Sequence, residues 1–135
     1  MAKTDRQKIY NKFGSDVLQM IIFAKAASVT AKVDCMYPES FLIGILTTGE
    51  NSVTSSLVDH NFNLDKFLKS VKTKLRAHKD ENVKVEVASW QDLKISKQIA
   101  DICQEAYDVS VKLDQDTIGV NVIFVSILKL NPDFK

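Results

Sequence analysis

Apolar residues recur along this chain at helical spacing in several stretches and at period two in one. Val17, Met20, Ile21, Ala24 and Ser28 fall at i, i+3, i+4, i+7 and i+11 behind a start signal of Gly14, Ser15 and Asp16. That spacing predicts an amphipathic helix running to about Ala31. Ahead of it, Ile9, Tyr10 and Phe13 predict a short lead-in helix over residues 4–13. Pro38 fits a first helical position and Glu39 complements the helix dipole. Phe41, Leu42, Ile43, Gly44, Ile45 and Leu46 are apolar nearly all round, as a buried central helix requires, and Gly49 is placed to end it. A short helix over Ser52–Asp59 carries Val53, Leu57 and Val58. Asn63 then serves as an N-cap for a stripe of Leu64, Phe67, Leu68, Val71 and Leu75. Lys72, Lys74 and Arg76 crowd the end of that helix, which stops near His78.

After a polar linker at residues 79–82, Val83, Val85 and Val87 alternate with charged residues. The alternation predicts an extended segment, a lone strand or a strap over the core, pinned by Trp90 and Leu93. Ser96 caps a further stripe of Ile99, Ile102, Cys103, Ala106, Ser110 and Leu113. The run 118–130 is rich in valine and isoleucine, and propensity alone would make it a strand. A repeat overrides that reading. A shift of 82 positions takes Gly14 to Ser96, Val17 to Ile99, Ala24 to Ala106, Ser28 to Ser110 and Met36 to Ile118. The same shift lays residues 41–46 on residues 123–128, so the C-terminal run inherits the helix that Pro38 and Glu39 mark in the first copy. The expected fold is all-α, with two pseudo-symmetric helical half-domains in which Ala24 superposes on Ala106 and Gly44 on Ser126. The whole chain, 1–135, is expected to form one domain. Repeat one spans about 13–78, an extended connector 79–95, and a truncated second repeat 96–130.

The ordered series Phe13, Val17, Met20, Ile21, Ala24, Ser28, then Met36, Pro38, Glu39, Phe41 to Leu46, then Gly49 and Glu50, resembles the N-terminal domain of Clp-type AAA+ unfoldases. In that family each repeat has a helix, a loop, a helix of the form T-E-H-L-L-x-G-L-L and a G-E-G turn, followed by a small and a long helix. The resemblance covers the chain from Phe13 onward and implies a protein-binding module that recruits substrates or adaptors to a Clp unfoldase or protease, or modulates it. It also implies a small site at which some members bind phosphorylated arginine, lined by the glutamate and by a hydroxyl residue that caps the preceding helix. The sequence departs from the pattern here. Ser40 stands for the family histidine; copy one has Glu39 but Gly14 in place of the hydroxyl, and copy two has Ser96 but Asn121 in place of the glutamate. Neither site is whole. No Walker-type phosphate-binding motif occurs, so the 135 residues carry no ATPase module.

Composition adds exclusions. A net charge of +1 gives no global pull toward nucleic acid or membrane. Four Gly and two Pro offer little punctuation for an all-β fold. Cys103 lies on an apolar stripe and reads as a small hydrophobe, while Cys35 follows Asp34 in a loop and is expected to be more exposed. Two unpaired thiols, a charged N-terminus and the lack of a long apolar run point to a cytoplasmic protein. His60 and His78 lie apart in polar surroundings and read as solvated surface histidines. No spacing suggests a metal ligand set, a cofactor motif or a catalytic acid–base pair, so a binding module is expected rather than an enzyme.

Two surfaces could dock a partner. The second copy's apolar helix is followed by only five residues of the sequence, too few to cover it as two helices cover the first. The surface around Ile123, Phe124, Ile127 and Leu130 is therefore expected to mediate self-association as a homodimer, or to dock a Clp ATPase, peptidase, adaptor or substrate. The alternative is a basic ridge of Lys66, Lys69, Lys72 and Arg76 that meets nucleic acid or an acidic partner.

Overall fold

A computed structural model describes residues 6–33, 35–48, 52–59, 63–78, 85–87 and 94–131. Its elements are α1 (Arg6–Asn11), α2 (Ser15–Thr30), α3 (Pro38–Thr47), α4 (Ser52–Asp59), α5 (Leu64–Ala77), β1 (Val85–Val87), β2 (Lys94–Ser96), α6 (Lys97–Lys112) and α7 (Val120–Leu130). The expectations for His60, Gly49, Trp90 and Leu93 fall outside the described residues.

The 82-residue repeat holds down to single hydrogen bonds. Both α2 and α6 are 16 residues long, and they bury Val17, Met20, Ile21, Ala24 and Ser28 against Ile99, Ile102, Cys103, Ala106 and Ser110 in matching order. Each ends in the same left-handed cap. Lys32 (φ 60°) and Asp114 (φ 55°) are the two non-glycine residues with positive φ among those described. Beyond them, Val33 N donates to Ser28 O and Gln115 N to Ser110 O, the bonds that close a helix C-terminus by returning to its third-last carbonyl. The run that propensity would make a strand is the helix α7. Val120, Val122, Ile123 and Ile127 are buried along one side of it, and the gain from that burial outweighs the weak cost of β-branching in a helix.

The two copies interlock at their helix starts. Parallel bridges join Phe13 to Ile118 and Ile95 to Met36. Gly14 N donates to Ile118 O, and Ser96 N to Met36 O, both at 2.9 Å. A shift of 82 turns one of these pairs into the other, which is what a pseudo-twofold arrangement demands. The symmetry breaks at Asp16. Asp16 Oδ2 accepts from Val120 N at 3.0 Å, whereas the corresponding position of copy one is Pro38, which has no N–H to offer.

The extended connector differs from the lone strand or strap expected. Val85–Val87 pairs antiparallel with Lys94–Ser96, in the register Val85↔Ser96 and Val87↔Lys94. Those last three residues, Lys94, Ile95 and Ser96, are too short a run to be read as a strand by alternation alone. Ile95 is pinned in the core, bridged to Met36, and so supplies an edge for β1.

In copy one, α3 lies between α2 and α5. Gly44 makes the α2 crossing possible, because a Cβ there would stand 2.5 Å from Met20 O. From α5, the buried Val71 and Leu75 close the other side, each contributing about 1.5–3 kcal/mol of apolar burial. In copy two, α7 packs on α6 and is also met by α2, α3 and α4.

Candidate protein-docking surfaces

Four places in this frame bear on function: the start of α3, the outer face of α6 and α7, the exposed side of α5, and a groove between α2, α3 and α5.

At the start of α3 the side chains are buried and already partnered. Glu39 is nearly enclosed, and its carboxylate accepts from His78 Nε2 at 3.0 Å. The His78 ring stacks on Tyr37 at a centroid distance of 4.0 Å and an interplanar angle of 3°. The sequence reading of His78 as a solvated surface histidine is therefore corrected. At the C-cap of α5, His78 reaches back across α3, which helical periodicity does not reveal. Ser40, at the position of the family histidine, joins α3 to α2. Its Oγ accepts from Tyr37 N at 3.0 Å and lies 2.7 Å from Ser28 Oγ, which in turn donates to Ala24 O. Cys35 is also corrected: it is buried in the core rather than exposed, as Cys103 is.

Because the copies interlock, Ser96 N donates to Met36 O, three residues before Glu39 in the chain, and Gly14 N donates to Ile118 O, three residues before Asn121. The interlock thus joins the backbone of the copy-two hydroxyl residue to the copy-one loop that leads into α3, a link invisible when each copy is read by itself. Ser96 is fully buried, and its Oγ accepts from Ile99 N at 3.4 Å as an N-cap. Asn121 is exposed. Glu39 and Ser96, the acid and the hydroxyl that the resemblance singles out, are thus each engaged within the chain.

On α6 and α7 the structure sorts the expected surface. Ile127, proposed from the sequence as a docking residue, is fully buried, as is Ile123, so both belong to the core. Phe124 is half-buried and Leu130 is 42% exposed. Val125 is the residue the sequence reading missed, at 61% exposed, with Leu113 at 60%. The repeat could have found them. Val125 corresponds to Ile43 and Leu113 to Ala31, two residues that line one groove in copy one. There α5 covers Ile43. Among the described residues no such cover lies over Val125, and the Lys129–Glu105 ion pair links α7 to α6 on its exposed side.

Lys66, Lys69, Lys72 and Arg76 are all exposed on α5, as the basic-ridge reading requires. Lys72 and Arg76 also form one wall of a groove of about 370 Å³. Phe23, Ala27 and Ala31 from α2 and Ile43 from α3 supply its apolar lining. Among the described residues, no group of three or more His, Cys, Asp or Glu could hold a metal ion. Among the described residues no helix is long and apolar enough to cross a membrane.

Interlocked helix pairs of this kind define a class: the chain has a Clp N-domain-like fold. It superposes on the N-terminal domain of the caseinolytic protease associated chaperone ClpD from Arabidopsis thaliana with a TM-score of 0.69 and 17% identity, over 89% of this chain and 77% of that one. It is likewise similar to the N-terminal domain of the ClpV1 ATPase from the E. coli EAEC Sci1 T6SS, with a TM-score of 0.74 and 15% identity, over 96% of this chain and 75% of that one. No protein-family profile matches the chain, and no curated protein matches it by sequence.

Proposed function

We propose that this chain is a non-catalytic protein-binding module that recruits substrates or adaptors to an ATP-dependent Clp-type unfoldase, or modulates one, by docking through the outer face of α6 and α7. The fold likeness to N-terminal domains of a Clp chaperone and a Clp ATPase supports the setting. The observation that carries the docking surface is the 61% exposure of Val125 where its copy-one equivalent, Ile43, is buried, together with the exposure of Leu113 and Leu130 at the ends of α6 and α7. Large aliphatic side chains held in water on a folded helix gain free energy when a partner covers them.

The test is co-purification of the tagged chain with the Clp-type ATPase of its own cell, for the wild type and for Val125→Asp and Leu130→Asp. Each variant is checked by circular dichroism. Recovery of the ATPase with wild type and at least a tenfold loss with folded Val125→Asp is expected. If the ATPase is absent from wild-type eluates, the Clp setting is wrong. If folded Val125→Asp retains it in full, the surface is wrong. Sedimentation of the same proteins separates a homodimer through this face from a complex with another partner.

A further inference from the structure

The groove between α2, α3 and α5 joins an apolar floor to a wall of one sign. Its α2 side is small and apolar, with Ala26, Ala27 and Ala31, and Phe23 stands at its edge 38% exposed. The floor does not end at the groove. Ile22, Ala26 and Val29 lie at i, i+4 and i+7 on α2, and Ile22 and Val29 are 66% and 69% exposed. An apolar row thus runs along the outside of α2, next to a cavity large enough for one or two side chains.

Charge decides what can lie there. The acidic residues of the three helices, Asp16, Glu39 and Asp65, all stand in first turns. Beyond those turns the charged residues are Lys25 on α2 and Lys69, Lys72, Lys74 and Arg76 on α5, with none on α3. Lys69, Lys72 and Arg76 fall at i, i+3 and i+7, so they form one line along the helix. Among the described residues, no carboxylate lines the groove to neutralise Lys72 and Arg76.

We infer that this groove receives an acidic amphipathic helix of a protein partner. Its apolar side chains enter between Phe23, Ala27 and Ile43, and its Asp or Glu residues meet Lys72 and Arg76. A basic or neutral helix would leave the lysine line unpaired against it, and a purely acidic chain would leave the floor wet. The fit therefore needs both properties in one segment. The inference stands apart from the α6–α7 docking reading, since it uses neither those helices nor the identity of any unfoldase.

The probe is a fluorescein-labelled 18-residue peptide with leucines at i, i+3, i+4 and i+7 spacing and glutamates elsewhere, followed by fluorescence anisotropy with the full chain. Three comparison probes carry lysine for glutamate, serine for leucine, or an oligo-dT of equal length. The Glu–Leu peptide is expected to bind at least tenfold more tightly than each of the others. Lys72→Glu combined with Arg76→Glu, both at exposed positions, is expected to weaken it at least tenfold and to confer binding of the Lys–Leu peptide. That reversal cannot come from unfolding. Phe23→Ser is expected to weaken the Glu–Leu peptide while leaving the wall intact. Equal binding of the Glu–Ser peptide would overturn the inference by showing charge alone, and tighter binding of oligo-dT would make the ridge a nucleic-acid surface. An unchanged affinity in the double variant would also overturn it.

Discussion

At the scale of single residues, the role of His78 is decided far from its own stretch of sequence. It ends α5, yet it donates to a carboxylate on α3 and covers the ring of Tyr37. Removing it leaves Glu39 enclosed with a hydrogen-bond partner lost, which is costlier than losing an exposed contact. His78→Ala is expected to lower stability by about 1–3 kcal/mol in urea denaturation. A surface histidine would cost under about 0.5 kcal/mol. An unchanged midpoint would return His78 to the solvated class. Asp16 acts at the same scale: by satisfying Val120 N it stitches the two copies, where Pro38 needs no such help.

At the scale of elements, the two helix pairs are copies with different clearances. Gly44 lets α2 approach α3 so closely that a methyl group would meet backbone oxygen, and the neighbour cannot give way as a flexible side chain would. Gly44→Ala is therefore expected to cost about 1–3 kcal/mol or more, although alanine favours helix intrinsically. The corresponding residue of α7 is Ser126, whose buried Oγ has no hydrogen-bond partner among the described residues. Ser126→Ala removes an unsatisfied hydroxyl and is expected to raise stability by about 1 kcal/mol. Thermal melts of the two variants should thus move in opposite directions, and a parallel shift would refute the difference in clearance. Ala106, fully buried at the centre of the α6 stripe, faces the same constraint as Ala24. Ala106→Leu is expected to overpack the core and cost about 1–3 kcal/mol, and an unchanged unfolding midpoint would show room that the packing denies.

At the scale of the whole molecule, the interlock of the copies separates what α7 buries from what it shows. Ile127 and Ile123 face a core shared with α2, α3 and α4, while Val125 faces out. Ile127→Asp is expected to unfold the protein, since it would bury an unpaired charge. Val125→Asp is expected to keep a wild-type circular dichroism spectrum and a stability within about 0.5 kcal/mol of wild type. Only the second variant can therefore report on docking. If Val125→Asp also unfolds the chain, the α6–α7 face is core and the docking surface proposed above has no free residues.

The order of helices, the duplicated frame and the helical state of α7 were legible in the sequence. They follow from local spacing, and spacing repeated at a fixed shift survives even where residue propensity argues for a strand. The basic line on α5 was legible for the same reason, because residues at i, i+3 and i+7 share a face wherever the helix is placed. Tertiary structure alone decided which residues meet across the repeat: Ser96 beside Met36, His78 on Glu39, Lys72 and Arg76 over an apolar floor on α2. It also decided that Ile127 turns inward and Val125 outward, and that Cys35 is buried. An α7 that is apolar on nearly every side gives no periodic hint of its buried face. That choice is made by the neighbours packed against it, and they arrive from distant parts of the chain.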